Sequence, residues 1–322
     1  MKAIQIHETG GPEVLKLAEL PIPEPGPGQV LMRVEAIGVN FVELYFRKGV
    51  YKTTLPFTPG SEAAGTVEEL GPGVTGFAAG DAVASVSVLG SYAEYALVTA
   101  AQLVKIPEGV SLEQAAAAML QGMTAHYLLY STYPLKAGET ALVHAGAGGV
   151  GLLLTQMAAK LGARVITTVS THEKAELSRE AGASDVILYT EKDFAAEVKR
   201  LTDGKGVNVV YDSVGKATFD GSLNCLCPRG MLALFGGASG PVPPFDPIQL
   251  SSKGSLFVTR PSLWHYIATR EELEWRANDV LGWVASGDLK LRMEHVYELA
   301  DAAHAQIDLE ARKTTGKILL EP

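Results

Sequence analysis

Glycines at positions 146, 148 and 151 stand directly behind the apolar run Ala141–His144, in the order G-x-G-x-x-G. After a strand, this spacing brings the amides of a helix N-terminus close to a diphosphate, because no side chain stands between them. The turn is expected to need backbone conformations open mainly to glycine. The run Val150–Leu161 has helix-forming composition, with Thr155, Gln156 and Lys160 spaced for one polar face, and Gly162 ends it. Arg164–Val169 is rich in β-branched residues, so a complete β-α-β unit surrounds the glycines and predicts a dinucleotide site.

The end of the second strand indicates which dinucleotide. NAD sites place Asp or Glu there for the ribose hydroxyls, whereas this chain reads Val169-Ser-Thr-His-Glu-Lys. Ser170 is short and neutral, and Lys174 falls in the first turn of the next helix, so a 2′-phosphate would meet a hydrogen bond and a cation. The expected cofactor is NADPH. Two alternatives stay open: Lys174 as a solvated helix lysine, and Glu173 serving the ribose after a loop shift.

The elements that must carry these residues fall into two textures. Up to about residue 118, short β-type runs (Val30–Ala36, Gly65–Leu70, Asp81–Val88, Tyr92–Leu97) alternate with turns such as Pro21–Gly28, the pattern of a β-barrel-like domain. A helix follows Ser111, its expected N-cap, and from Thr140 strands and helices alternate as in a doubly wound parallel sheet. Further strands are expected at Asp185–Tyr189, Val207–Asp212, Met231–Gly236 and Ser255–Arg260, with helices near Lys192–Thr202 and Ala217–Leu226. The tail predicts helices near Glu271–Ser286 and Leu299–Leu309 and a final strand at Gly316–Leu320, pairing back onto the first domain. The fold class is α/β, with domains expected at 1–118 and 119–260 and a returning segment at 261–322.

Bulk composition narrows the partners. The 322 residues are 47% hydrophobic and 20% charged, ordinary for a globular protein, and the net charge of -9 gives no basic field for nucleic acid. The N-terminal Met-Lys-Ala-Ile-Gln-Ile-His alternates like a strand, and no apolar run reaches the roughly eighteen residues of a membrane span, so a soluble, cytoplasmic protein is expected. Cys225 and Cys227 stand two apart, unsuited to a disulfide framework or a zinc knuckle, and are expected as two buried, reduced thiols.

Four strings carry a more specific signal: Ala36-Ile-Gly-Val-Asn-Phe-Val-Glu-Leu-Tyr-Phe-Arg-Lys-Gly-Val-Tyr, Pro59-Gly-Ser-Glu-Ala-Ala-Gly, Leu120-Gln-Gly-Met-Thr-Ala and Val210-Tyr-Asp-Ser-Val-Gly. With the domain order, they resemble the zinc-free quinone oxidoreductase branch, which includes the zeta-crystallins, of the medium-chain dehydrogenase/reductase superfamily. That resemblance implies a GroES-like β-rich catalytic domain and a Rossmann domain. The positions matching the catalytic zinc ligands of the alcohol dehydrogenase relatives are Asn40, Ser61 and approximately Leu120, a poor donor set, and no cysteine precedes 225 to build a structural zinc lobe. None of the seven histidines pairs at metal spacing, and His126 and His144 are expected to pack or hydrogen-bond.

The resemblance further implies Gly149 and Val150 as diphosphate-binding amides and Tyr189 and Arg312 beside the adenosine phosphate. Around the nicotinamide it implies Asn40, Tyr45, Thr124 and Tyr127 on one side and Ser213, Phe235, Gly236, Val258 and Thr259 on the other. Phe235 and Val258 have core packing as their alternative. The implied activity is NADPH-dependent reduction of a quinone in the cleft between domains, with an enone or alkenal reductase as the alternative and an RNA-binding or crystallin-like structural role as the rival of another class. Without a metal to polarise a carbonyl, acceptors that are already conjugated are favoured. Glu43, Tyr45, Arg47 and Tyr51 are expected in one loop, with Tyr51 either a proton donor or hydrogen-bond partner for the acceptor, or a packed aromatic. The family pattern also implies a homodimer formed through the edge strand within Ser255–Arg260.

Overall fold

The computed structural model describes residues 1–322, which divide into two compact units, Met1–Met123 with Thr269–Pro322, and Thr124–Ala268.

The second unit holds six parallel strands: β1 (Thr140–His144), β2 (Arg164–Val169), β3 (Asp185–Leu188), β4 (Val207–Asp212), β5 (Leu226–Leu234) and β6 (Phe257–Thr259). Their order, β3-β2-β1-β4-β5-β6, is that of a complete Rossmann sheet. Four helices lie between successive strands up to β5: α1 (Gly149–Lys160), α2 (His172–Glu180), α3 (Phe194–Leu201) and α4 (Phe219–Cys225). Leu142, Ile166, Val210 and Leu232, one from each of the four central strands, are fully buried and join one core cluster. The chain reverses its direction of travel across the sheet between β1 and β4, and dinucleotides bind beyond the carboxyl ends of strands at such a switch point.

The first unit is a β-rich fold around the eleven-residue strand Gln29–Val39. That strand pairs antiparallel with Glu62–Leu70, Tyr95–Thr99 and Ile318–Glu321 in a seven-stranded sheet. Ile6, Val30, Met32, Val34, Ile37, Val67 and Tyr92 fill its core. Two helices belong to the tail: Arg270–Ala285, capped by the Thr269 side chain, and Ala302–Glu310. At Ser111 the expected cap is present, its Oγ accepting from Gln114 N–H at 3.2 Å while Gln114 Oε1 accepts from Ser111 N–H at 2.9 Å.

Three expectations change. The segment after Asn40 is a helix, Phe41–Arg47, not a loop, because the Glu43 carboxyl reaches back to accept from Asn40 N–H at 2.6 Å and so satisfies the first turn. Cys225 is buried but Cys227 is only half-buried: β5 starts irregularly, with a register break opposite Val207 and Val209 and Arg229 left-handed at φ 63°. The third concerns the glycine turn. None of its three glycines has a positive φ, and the one left-handed residue there is Ala145, at φ 54°.

Candidate active site

The glycines are required for space. A methyl group on Gly151 would overlap the Ala145 carbonyl oxygen, and one on Gly146 would meet Thr167 Cβ at 2.6 Å and Ser178 Oγ at 2.8 Å. Gly148 is the N-cap of α1, so Gly149 and Val150 open that helix with amides that have no acceptor inside it. Such a bare N-terminus, aimed past the carboxyl end of β1, is the cradle a diphosphate needs. Behind it His144 is buried, its ring nitrogens 2.8 Å from Thr168 Oγ1 and 3.0 Å from Ser222 Oγ, and burial pushes it below the ordinary imidazole value. His126 is also buried, against the Tyr130 ring.

The ends of β2 and β3 are tied together. Tyr189 N–H donates to Val169 O at 3.1 Å and Thr190 Oγ1 to Ser170 O at 3.1 Å, which pairs the chain at Ser170 with that at Tyr189 and Thr190, Tyr189 being 42% exposed. Thr171 caps α2 by accepting from Lys174 N–H at 3.2 Å, so Lys174 stands in the first turn, half-buried, while Glu173 is exposed. No carboxylate ends β2.

At the other strand ends, Ser213 and Gly236 touch backbone to backbone: a Cβ on Gly236 would lie 2.8 Å from Ser213 Cα. Asp212 fixes the turn that follows Ser213, its Oδ1 accepting from Val214 N–H at 2.7 Å and Gly215 N–H at 3.0 Å. Phe235 and Thr259 are half-buried at the carboxyl ends of β5 and β6, and Val258 packs partly against the core. Thr124 and Tyr127 lie in the buried last turn of the helix Leu112–Tyr127, where Tyr127 stacks on Tyr266 with centroids 4.4 Å apart.

In the first unit, Tyr51 packs edge-on against Tyr45 and Phe46, at 5.4 and 5.5 Å, and its amide bonds Tyr45 O, so Tyr45 and Tyr51 form one aromatic patch. Arg47 leaves that group. It is fully buried and turned to Gln306, at 2.7 Å, and Glu310, at 3.1 Å. Arg312 is exposed past the helix Ala302–Glu310, left-handed at φ 57°.

Asn40 centres a polar cluster that sequence reasoning missed. Its Nδ2 donates to Glu62 Oε2 at 2.8 Å and Gly38 O at 3.2 Å, and its Oδ1 accepts from Lys317 Nζ at 2.8 Å. Lys317 also bonds Glu62, whose other oxygen accepts from Leu120 N–H. Glu62 and Lys317 are 0% and 2% exposed. Gly38 leaves the room, since a side chain there would collide with both. A lysine between Gly316 and the apolar Ile318-Leu-Leu was the available signal.

Comparison with known proteins gives the family of the chain. Residues 26–108 match the family model described as alcohol dehydrogenase GroES-like domain, and residues 149–277 the one described as zinc-binding dehydrogenase. The chain is 48% identical to a quinone oxidoreductase of Pseudomonas aeruginosa, covering 100% of this chain and 99% of that one. It is 44% identical to a 2-haloacrylate reductase of Burkholderia sp, covering 99% and 98%. A solved mycobacterial protein complexed with NADPH is 54% identical, covers 100% of both chains and superposes with a TM-score of 0.98. The zinc of the second model's description does not fit these residues: the Asn40 oxygen already faces the Lys317 ammonium, Ser61 offers a hydroxyl, and Leu120 has no donor side chain. NADPH does fit, on the open amides at Gly149 and Val150 and the carboxylate-free end of β2.

Proposed function

Because this chain belongs to the quinone oxidoreductase family of the medium-chain dehydrogenase/reductase superfamily, we propose that it is a zinc-independent NADPH:quinone oxidoreductase. The observation that carries the cofactor half is the end of β2, where Ser170 and Lys174 stand in place of an acid. Gly149 and Val150 hold the diphosphate with their amides. Ser170 and Lys174 take the 2′-phosphate, and Tyr189 and Arg312 border the adenosine. Ser213, Phe235, Gly236, Val258 and Thr259, with Thr124 and Tyr127, serve the nicotinamide from the second unit, and the family resemblance assigns Asn40 and Tyr45 of the first unit to it as well.

When bound, NADPH supplies the hydride that reduces the acceptor. The chain's own residues orient the acceptor and keep water out. Asn40, its polar atoms already engaged, is a fixed wall, and Tyr51 offers its hydroxyl to an acceptor oxygen. A quinone or another conjugated carbonyl suits the site, since no metal ligand set is present to activate a simple ketone. Reduction of a conjugated alkene is the second reading, favoured by the 2-haloacrylate reductase among the relatives.

The assay is a steady-state screen of quinones and enones with each nicotinamide. NADPH should exceed NADH in kcat/KM by about tenfold or more, the scale of one charge-assisted contact; equal use of both would refute the cofactor assignment. Enones outrunning every quinone would select the second reading.

The same reading extends to assembly and location. The chain works as a homodimer joined along β6, an open sheet edge on which Phe257 is 56% exposed. A monomer mass by light scattering would overturn this. No helix is long and apolar enough to cross a membrane, and two unpaired thiols fit a cytoplasmic enzyme.

A further inference from the structure

Glu43 has no task in the site so far, yet its surroundings are chemically lopsided. Two carboxyls, Glu43 and Glu62, and one ammonium, Lys317, share a buried compartment. Lys317 bonds Glu62 and Asn40, and Glu62 also accepts from Asn40 Nδ2 and Leu120 N–H. Glu62 is therefore the carboxylate matched to the cation. Glu43 accepts from Asn40 N–H at 2.6 Å, through Oε2, and from Ser61 Oγ in a long contact of 3.4 Å, through Oε1, and no cation bonds it. One cation balances one carboxylate, so the other is least costly to bury as the neutral acid.

The groups facing Glu43 from its neighbours do not change that count. Beyond Lys317 and Glu62 there is Tyr92, a phenol that burial holds un-ionised, and Arg47 on Glu43's own helix is drawn away by Gln306 and Glu310. Burial raises the Glu43 carboxyl to about 8 against the opposing pull of Lys317. Ser61 Oγ donates to Oε1 in this arrangement; with the proton on Oε1 the same contact runs the other way, the acid donating to Ser61 Oγ. Ser61 is also the one member of the group that is only half-buried, whereas Asn40, Glu43, Glu62 and Lys317 are buried. The compartment opens outward through a hydroxyl.

We propose that Ser61 and Glu43 form the proton relay of the reaction, Ser61 giving its hydroxyl proton to an oxygen of the acceptor and recovering one from Glu43. This rests on the quinone reductase reading. The balance is quinone plus NADPH plus one proton to hydroquinone plus NADP+. The hydride carries two electrons from NADPH, which is oxidised, to the quinone, which is reduced. The resulting oxyanion takes the Ser61 proton as a new O–H bond forms. The Glu43 O–H bond breaks to restore the Ser61 hydroxyl, its electron pair stays on the carboxylate, and water then returns a proton to Glu43. Ser61 is the catalytic residue, and Glu43 acts through it.

The test begins with the wild-type enzyme, NADPH and 1,4-benzoquinone across pH 6 to 9.5, in single turnover so that product release does not mask the step. Absence of NADPH oxidation with quinones and enones alike would defeat the parent reading, not the relay alone. Given activity, the wild-type rate should fall as pH rises through about 8. Glu43→Gln and Ser61→Ala should each lower it about 100-fold, the usual scale of general acid catalysis, and abolish that alkaline fall. KM for NADPH and quinone should stay within about twofold, because a proton-transfer group acts in the transition state. Ser61→Thr, which keeps the hydroxyl, should restore most of the rate. If Glu43→Gln fails to fold, the Ser61 pair decides alone. Wild-type rates with the alkaline fall retained in Ser61→Ala, or changes in KM alone, would overturn the relay.

Discussion

The glycine turn of the second unit and the polar compartment of the first are built by opposite means. At the turn, function comes from removing atoms: Gly146 and Gly151 carry nothing, and Thr167, Ser178 and the Ala145 carbonyl fill the space up to them. In the compartment, function comes from burying titratable groups against one another: Glu43, Glu62 and Lys317 are each no more than 2% exposed. The turn tolerates no extra volume. The compartment tolerates no missing partner.

The sharpest way to break that contrast is to delete the cation. Lys317→Ala leaves Glu62 buried without its partner and should cost about 3–5 kcal/mol, read as a lowered denaturation midpoint. Unchanged stability would mean that the compartment is not held by charge balance. Next comes pH. Glu43 holds its proton up to about 8 when folded, against 4.5 for the ordinary carboxyl, so between those values the folded state binds the extra proton. Stability should therefore be complete below pH 4.5 as far as this group is concerned, and fall as pH rises to about 8, by up to about 1.4 kcal/mol per unit. In Glu43→Gln that fall should vanish in urea titrations at successive pH values.

Smaller effects are expected at the dinucleotide side. Gly151→Ala should cost about 1–3 kcal/mol by overpacking, and should weaken NADPH in calorimetric titration more than it lowers the melting temperature. The reverse ranking would mean that the glycine serves the fold and not the ligand. Lys174→Ala should cut the NADPH-to-NADH preference in kcat/KM by about tenfold while leaving NADH kinetics unchanged. An equal loss with both cofactors would make Lys174 a residue of the helix and not of the phosphate.

The two regions also differ in how far they could be read in advance. The dinucleotide unit was legible because its signals are local: Gly146, Gly148, Gly151, Ser170 and Lys174 all fall within one β-α-β unit, where strand and helix periodicity place them. Even there, the expected left-handed backbone does not fall on a glycine. Spacing cannot distinguish a residue that needs a left-handed backbone from one that needs a vacant Cβ, and the left-handed φ belongs to Ala145. The compartment was illegible because its members come from positions 40, 43, 61, 62 and 317 and meet only through sheet pairing. The helix that presents Glu43 has only seven residues, too few for an apolar repeat to distinguish it from a loop.

The strand Ile318–Glu321 lies between His295–Glu298 and Gln29–Val39 in the sheet of the first unit. A ribosome makes residue 29 early and residue 318 almost three hundred codons later. The first unit thus begins synthesis first and is completed last, with its apolar long strand and the carboxyl of Glu62 waiting for Lys317 and the strand behind it, while every residue of the Rossmann unit has already been made. The order in which the protein is written is not the order in which it closes, and its nascent form carries an unfinished sheet until the last strand arrives.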